Sequence, residues 1–185
     1  EKATEIKIKL QTGKEYEAKL VGRDPKTDLA LVIGTDLTPE MPPLGWALMA
    51  ARQNDAFKLI VANPRQTKFD RYADLSLRYK PGAERMVIAG LIKALLGANP
   101  ELAPAIKATG WEEFQEIPKK YGPKEWANRS GLEEFTPFEE AAQLLLQAQA
   151  PAIIFGTELL GQDKGDQTAL ALALGLGDVI ALDFM

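Results

Sequence analysis

The chain contains no cysteine and no histidine among its 185 residues. The absence of cysteine excludes disulfides, iron–sulfur clusters and thiolate metal ligands. The absence of histidine removes the usual general base, the Ser-His and Cys-His nucleophile systems and the commonest zinc ligand. Catalysis by this chain alone would therefore need carboxylates, lysine or a borrowed cofactor.

Charge and hydropathy exclude two further classes of protein. The net charge is −4, and the 22 lysines and arginines are scattered without a basic block, so no nucleic-acid partner is expected. No long apolar run and no signal-peptide pattern is present, which predicts a soluble, cytoplasmic chain without direct membrane insertion. The first residue is Glu1 rather than methionine, which suggests a processed or excised segment.

Three short apolar runs predict strands that are buried on both faces of a parallel sheet. They cover residues 29–34, 59–63 and 152–156, and each ends in glycine or asparagine. Ligands of such sheets bind at the carboxyl ends of the strands. We therefore expect Gly34, Asn63 and Gly156 to lie side by side at one edge, with their loops lining one crevice. The turn Asn63-Pro64-Arg65 would bring a guanidinium to that edge.

The remaining patterns complete an α/β prediction, a mostly parallel sheet flanked by helices with an N-terminal antiparallel β hairpin. Alternation over 5–21 predicts the hairpin, and a loop with three prolines spans 35–43. Helices are predicted over 44–52, 84–96 (ended by Gly97), 136–149 (with Thr136 as N-cap) and 167–174, and strands over 74–79 and 178–184. A helical insertion is expected at about 99–134, anchored by Trp111, Phe114 and Trp126. Residues 1–27 would form the hairpin segment and 28–185 the α/β domain.

Residues 28–175 resemble the molybdopterin oxidoreductase family. The resemblance rests on LALVIGTDLTPEMPPLGWALMAA, KLIVANPRQTKFDRYADLSLRYKPGAE and PAIIFGTELLGQDKGDQTALALA, in that order and spacing. The middle block, NPR-x-T followed by AD-x-x-L and PG, is the most specific part. Within the family, the G chain of bacterial NADH-quinone oxidoreductase and the α chain of formate dehydrogenase are most similar.

The resemblance implies an α/β domain that holds one half of a bis-(molybdopterin guanine dinucleotide) cofactor. The loops after the first and second strands would contact the nucleotide, and an acidic residue after the PG turn would recognise guanine. An arginine suits the phosphates because its planar fork binds them bidentately. The candidate cofactor-binding residues are Gly34, Thr35, Asp36, Asn63, Arg65, Thr67, Glu84, Gly156 and Thr157. Other subunits of a respiratory or formate dehydrogenase complex are the implied partners.

The chain departs from the family pattern in ways that bear on activity. The usual aspartate of the second loop is Asn63, and the usual PGTD is Pro81-Gly82-Ala83-Glu84. The iron–sulfur cysteines, the metal-ligating residue and the second half of the cofactor site are missing. The parent family is one of oxidoreductases, but this chain alone is therefore expected to be inactive.

The first 33 residues resemble a different family, the trypsin-like domain of HtrA-type serine proteases. The matching segment is KIKLQTGKEYEAKLVGRDPKTDLALV. Asp28 matches the aspartate that orients the catalytic histidine there, but without histidine it has no catalytic role. The two resemblances together suggest a fragment or a chimera. The alternative is an engineered or recombined structural module without a ligand. In either case an exposed hairpin edge favours pairing between copies.

Other polar and aromatic groups have simpler interpretations. Asp24 and Asp28 straddle a proline turn, which disfavours a paired-carboxylate acid–base site. The loop 161–166 lacks the closing glutamate of a calcium-binding loop. We interpret it as a polar loop that precedes the predicted helix at 167–174. Trp111 and Trp126 could stack on a base, but packing of the insertion is the favoured interpretation.

Overall fold

The structure of the protein is a computed structural model. This structure describes residues 6–9, 15–18, 27–102, 116–156, 159 and 180–182. A five-stranded parallel sheet forms the centre, with the strand order β5-β4-β3-β6-β7. Its strands are β3 (Leu29–Ile33), β4 (Lys58–Ala62), β5 (Leu75–Leu77), β6 (Pro151–Phe155) and β7 (Ile180–Leu182). The α/β class and the parallel sheet are thereby confirmed.

The order of the strands reverses between β3 and β6. From β3 the chain first adds β4 and then β5 on one side, and it later returns to place β6 and β7 on the other side. A sheet wound in both directions from one strand leaves a crevice at the carboxyl ends of the strands where the winding reverses. In this protein that point is the edge beyond Ile33 and Phe155, which are aligned in the register of β3 and β6.

The central strands are buried on both faces because helices cover both sides of the sheet. One face packs through Leu31, Ile60 and Ile153 against the largest core cluster. The opposite face packs through Val32 and Val61 against a second cluster. A strand with two covered faces needs an unbroken apolar sequence, which is the pattern that LALVI and PAIIF show.

Two groups of helices supply that cover. The helices of the described residues are α1 (Leu37–Glu40), α2 (Pro42–Ala51), α3 (Glu84–Ala98), α4 (Glu116–Lys119), α5 (Pro123–Ser130) and α6 (Thr136–Gln147). A short 3-10 helix at Lys68–Arg71 joins β4 to β5. Residues of α3 and α6 belong to the larger cluster, whereas α2 and the 3-10 helix contribute to the smaller one. None of the helices among the described residues is long and apolar enough to cross a membrane.

Several helix boundaries differ from the sequence prediction: α2 begins at Pro42 and ends at Ala51, and α6 ends at Gln147. The predicted loop at 35–43 contains α1, because the Asp36 side chain caps a helical turn there. Thr136 is not the N-cap of α6: it is the first helical residue, and Phe135 precedes it with its ring 5.1 Å from the Phe138 ring. Gly97 does not end α3, which continues to Ala98 and is closed by Asn99.

The N-terminal hairpin forms as predicted, with β1 (Ile6–Lys9) antiparallel to β2 (Glu15–Ala18). The two strands make a separate two-stranded sheet. The predicted terminal strand corresponds to β7, which pairs with β6. The predicted helix 167–174 and the anchors Trp111 and Phe114 lie outside the described residues. The third anchor, Trp126, is fully buried, so packing rather than base stacking is its role. The division into segments 1–27 and 28–185 stays a prediction.

Candidate functional site

Three loops meet at the carboxyl edge of the sheet, where the winding of the sheet reverses. The Gly34 N–H donates to the carbonyl oxygen of Ala62 at 3.0 Å, and the Gly156 N–H donates to that of Ile33 at 3.3 Å. These bonds extend the β3–β4 and β3–β6 ladders by one residue beyond the strands. The expectation that the loops after the three strands are neighbours agrees with this geometry. We call this edge the rim site.

The loop after β3 begins with a sharp change of backbone direction. Gly34 has a φ of 62°, in the left-handed region that side chains disfavour. Thr35 follows, is 5% exposed, and donates its hydroxyl to Glu40 Oε2 at 2.7 Å. The other Glu40 oxygen accepts from the Asp36 N–H at 3.1 Å, and the Asp36 carboxylate accepts from the Thr38 N–H at 3.1 Å. The polar groups of this loop are thus engaged in beginning α1.

Asn63 ties the loop after β4 to the loop after β3. Its side chain is buried, its amide nitrogen donates to the Thr35 carbonyl oxygen at 3.1 Å, and its amide oxygen accepts from the Arg65 N–H at 2.9 Å. An ionised aspartate only accepts hydrogen bonds, so it would leave the Thr35 carbonyl without this donor. The departure from the family's usual aspartate therefore has a structural consequence, which is a direct link between the two loops.

The side chain of Arg65 is exposed at the turn that Asn63 holds. A guanidinium placed this way offers a planar set of donors to a phosphate or a carboxylate. Of the predicted site residues, Arg65 has the chemistry and the exposure best suited to an anionic ligand.

A carboxylate that the sequence analysis did not single out holds the far end of the same loop. Asp70 Oδ2 accepts from the Thr67 N–H at 2.6 Å and from the Thr67 hydroxyl at 2.8 Å. Arg78 donates to Asp70 Oδ1 at 2.7 Å and to the Asn63 carbonyl oxygen at 3.3 Å. We call Thr67, Asp70 and Arg78 the loop clamp, because together they fix the segment from Asn63 to Thr67.

The ionisation of Asp70 reflects the clamp. Burial of the carboxyl group opposes ionisation, but hydrogen bonds from Thr67 and Ser76 and the charge of Arg78 outweigh it and lower the pKa of Asp70 below its ordinary value. A threonine followed three residues later by an acidic residue is a capping-box spacing, and Thr67 and Asp70 form such a box in the structure. That spacing is the sequence signal that would have identified Asp70.

Glu84, which is predicted to recognise guanine, lies at the start of α3. It follows the Pro81-Gly82 turn as the first helical residue, and only 2% of its surface is exposed. An acidic residue at this position is favoured by the helix dipole. Because Glu84 is buried, a ligand would have to penetrate below the protein surface to contact its carboxylate. Arg65, in contrast, is exposed to solvent.

Gly156 allows the third loop to approach the first. A Cβ atom at Gly156 would lie 2.7 Å from Thr35 Cβ and 2.9 Å from the Gly34 carbonyl oxygen. Any larger residue would therefore push the loops after β3 and β6 apart. The last predicted residue of the site, Thr157, lies outside the described residues.

The rim site brings together some of the predicted residues but not all of them. Direct hydrogen bonds or contacts connect Gly34, Thr35, Asn63 and Gly156. Asp36 caps α1 and Thr67 belongs to the loop clamp, so each has a structural task there. Within the described part of the chain, no group of three or more acidic residues is arranged to hold a metal ion.

Asp28, the residue matched to a protease aspartate, also has a structural position. Its carboxylate accepts from the N–H groups of Gln149 at 2.7 Å and Ala150 at 3.1 Å. These bonds join the start of β3 to the connection before β6, more than a hundred residues away in sequence. The residue therefore stabilises the sheet at the edge opposite the rim site.

Comparison with known proteins identifies a consistent set of relatives, although no family model matches the sequence. The chain is 26% identical to formate dehydrogenase H of Escherichia coli over 79% of its own length and 20% of the relative. It is 29% identical to NADPH-Fe(3+) oxidoreductase subunit alpha of Geobacter sulfurreducens over 80% of the chain and 18% of the relative. It is 31% identical to the assimilatory nitrate reductase catalytic subunit of Bacillus subtilis over 50% of the chain and 13% of the relative.

A solved structure, acetylene hydratase from Pelobacter acetylenicus, matches with a TM-score of 0.65 and 22% identity. The match covers 82% of this chain and 21% of that one, and at this identity it shows the fold. These relatives are members of the molybdopterin oxidoreductase family, in agreement with the resemblance of residues 28–175. The chain spans about a fifth or less of the length of the curated relatives it matches. The protease resemblance and the chimera stay predictions.

Proposed function

We propose that this chain is a cofactor-binding domain of the molybdopterin oxidoreductase type, and that its rim site binds the guanine nucleotide end of the cofactor. The observation that carries the proposal is the meeting of the loops after β3, β4 and β6 at the point where the sheet reverses its winding. The exposed Arg65 lies on one of these loops, within the NPR-x-T block that relates the chain to the family.

The residues of the rim fit the phosphate part of such a ligand. Arg65 would bind the phosphates through its guanidinium, and the close contact of the loops after β3 and β6 at Gly156 would fix the sheet edge beside the ligand. Glu84 would accept from the guanine ring, provided that the ligand reaches into the start of α3. When bound, a molybdopterin cofactor supplies metal-centred redox chemistry. This chain, without cysteine or histidine, would contribute binding and orientation but no thiolate or imidazole ligand.

We further propose that the domain acts within a larger assembly rather than alone. Two of the relatives are named as a subunit alpha and a catalytic subunit, and the chain corresponds to a small share of each. The proposed partners are other subunits of a dehydrogenase complex, of the respiratory or the formate type, and the proposed location is cytoplasmic. We also propose that the isolated chain is catalytically inactive, because it has no cysteine or histidine side chain to offer a metal or a cluster.

One observation favours a second function, that of a structural module without a ligand. The polar side chains of Thr35, Asn63 and Thr67 already have partners within the protein, and Glu84 is buried. Side chains engaged in this way stabilise the loops without requiring a ligand. The two functions differ in whether the exposed guanidinium of Arg65 binds a ligand.

Thermal unfolding in the presence of GDP separates the two functions. A binder present with ligand at about ten times its dissociation constant gains about 1.4 kcal/mol, which raises the Tm of a domain of this size by about 3–5 °C. ADP at the same concentration should raise the Tm less if guanine is recognised. The Arg65→Ala variant should lose the shift, because the substitution removes the guanidinium that would bind the phosphates. The hydrogen bond from the backbone N–H of residue 65 to Asn63 is kept.

The matched control is Gln66→Ala, an exposed neighbour in the same loop, which should keep the shift. A Tm that does not change with about 10 mM GDP in the parent protein would rule out nucleotide binding by this chain and leave the structural module. Equal shifts in the parent and the Arg65→Ala variant would place any binding outside the rim site.

A further inference from the structure

A groove runs beside α2, on the face of the sheet that also carries the 3-10 helix. Its deeper end is a cavity of about 230 Å³ whose lining includes Trp46, Met49, Phe69 and Tyr72. A shallower depression of about 460 Å³ continues from it and shares Trp46, Met49 and Tyr72. We call the two together the α2 groove. The deep end is smaller than the about 300–1,000 Å³ of ordinary small-molecule sites, and it suits one bulky side chain with the rest of a chain lying alongside.

The groove presents large apolar side chains to solvent. Trp46 is 73% exposed and Tyr72 is 45% exposed, and they are the exposed large hydrophobic residues of the described part of the chain. Tryptophan, tyrosine and methionine are enriched at protein interfaces, and tryptophan and tyrosine are frequent among the residues that dominate binding energy. Here three such residues line one concave surface.

Hydrogen bonds of Arg52 and close packing between α2 and the 3-10 helix hold the walls of the groove in place. Arg52 donates to the carbonyl oxygens of Tyr72 at 3.0 Å and Phe57 at 3.2 Å, and to Asp74 at 3.2 Å. A Cβ atom on Gly45 would lie 3.1 Å from the tip of the Phe69 ring, so α2 and the 3-10 helix are in close contact at the floor. A surface arranged before binding loses little conformational entropy when a partner docks.

The charge at the deep end is positive, although the chain as a whole carries −4. Lys68 and Arg71 both line the cavity. Among the residues that the structure describes, neither has a carboxylate partner, whereas the nearby Asp70 is engaged by Arg78. Two unpaired cations beside an apolar cavity are complementary to a ligand that is apolar and acidic together.

We propose that the α2 groove docks a segment of another protein chain that combines a bulky apolar side chain with flanking acidic residues. The apolar side chain fills the cavity between Trp46 and the 3-10 helix, and the acidic residues lie against Lys68 and Arg71. The shallower depression beside Met49 accommodates the next turn or residues of the same segment. The groove shares no lining residue with Gly34, Asn63 or Arg65 of the rim site, although Leu37 and Lys68 in its lining directly follow the loops after β3 and β4.

Selection from a displayed library of random twelve-residue peptides tests the proposal with the full chain as bait. We expect enriched peptides that place tryptophan, phenylalanine or leucine next to aspartate or glutamate. Peptides synthesised from the winners should bind the Trp46→Ala variant at least about tenfold more weakly, which is the scale of a central interface residue. The double variant Lys68→Glu, Arg71→Glu should cost a similar factor and reverse the preference for acidic flanks.

The matched control is Lys124→Glu, which changes one charge on the exposed side of α5, a helix that packs on α3. It should bind the peptides as the parent does, and circular dichroism should show that all variants fold. The proposal is overturned if no acidic–apolar sequence is enriched, or if the Trp46→Ala variant binds the winners equally well. A concentration-dependent dimer that Trp46→Ala dissociates would overturn it in favour of a second copy, and tight binding of phosphatidylserine vesicles would overturn it in favour of a membrane surface.

Discussion

The loop clamp offers the sharpest test of how this protein holds its candidate site. Replacing Asp70 by asparagine keeps the shape of the side chain but removes its charge and one of its acceptor oxygens. The parent carboxylate is 9% exposed, accepts two bonds from Thr67 and pairs with Arg78. Bonds to a charged group contribute about 1.5–3 kcal/mol each, and a pair with a partly exposed arginine contributes about 0–1 kcal/mol.

Since asparagine retains one acceptor oxygen, we expect Asp70→Asn to lower the free energy of unfolding by about 2–3 kcal/mol at neutral pH. The loss corresponds to a fall in Tm of about 4–12 °C for a domain of this size. Urea unfolding followed by tryptophan fluorescence measures it, since Trp126 is fully buried in the native state. Asp55→Asn is the matched control, because Asp55 is exposed and has no hydrogen-bond partner among the described residues.

The same variant has a predicted pH dependence. The pKa of Asp70 is lowered in the folded protein, so its stabilising contribution is fully present above the unfolded-state value of about 3.9. The contribution is lost as the pH falls through that value and then through the lower folded-state pKa. The difference in unfolding free energy between parent and Asp70→Asn should therefore be constant above about pH 5 and shrink below about pH 4.

Two results would refute this reasoning. One is a cost of Asp70→Asn that does not exceed the cost of Asp55→Asn. The other is a difference between parent and variant that persists unchanged to about pH 3, since the charge of Asp70 would then have no part in it. The variant also tests the rim site. If the loop clamp positions Arg65, GDP should bind Asp70→Asn more weakly than the parent at temperatures where the variant is still folded.

Three further substitutions test other parts of the fold by thermal unfolding. Gly156→Ala should destabilise by about 1–3 kcal/mol, because its Cβ would lie 2.7 Å from Thr35 Cβ; no loss would show that the loops separate freely. Asp28→Ala should cost about 1–3 kcal/mol through two lost bonds to N–H groups, and an unchanged Tm would mean that water replaces them. Gly97→Ala should stabilise by about 0.5–1 kcal/mol, since no atom beyond its chain neighbours and its own helix backbone lies within 4 Å of the added methyl group; a lower Tm would contradict a helical Gly97.

Local patterns predicted the central strands because the physics behind them is local. A strand covered on both faces needs an unbroken apolar sequence, and residues 29–33 and 151–155 have one. The parallel arrangement then followed from the alternation of strands and helices, since parallel neighbours need crossover connections. From that arrangement the meeting of the loops at Gly34, Asn63 and Gly156 could be expected without coordinates.

Side-chain pairing within the site was not open to the same reasoning. Asn63 reaches the Thr35 carbonyl across 28 positions, and Asp28 reaches Gln149 across 121. Nothing in the spacing of residues along the chain indicates such bonds, because they depend on which loops the folded sheet brings together. The start of α6 was predicted one residue too late for a related reason. The contact between the Phe135 and Phe138 rings favours Phe135 as the residue before the helix, although threonine is the better capping residue.

Composition and pattern thus determined which side-chain chemistry this chain can supply and which sheet it forms. Without cysteine and histidine it holds neither a thiolate metal site nor a histidine-based nucleophile, and its apolar runs specify a covered parallel sheet. The tertiary structure decided which candidate side chains face outward. Burial removed Glu84 from the open surface, Asn63 was engaged by the loop after β3, and the Arg65 side chain was left exposed. Burial and the pairing of Asn63 are properties of the packed chain, because both depend on residues that are distant in sequence, whereas the Thr67–Asp70 bonds are local.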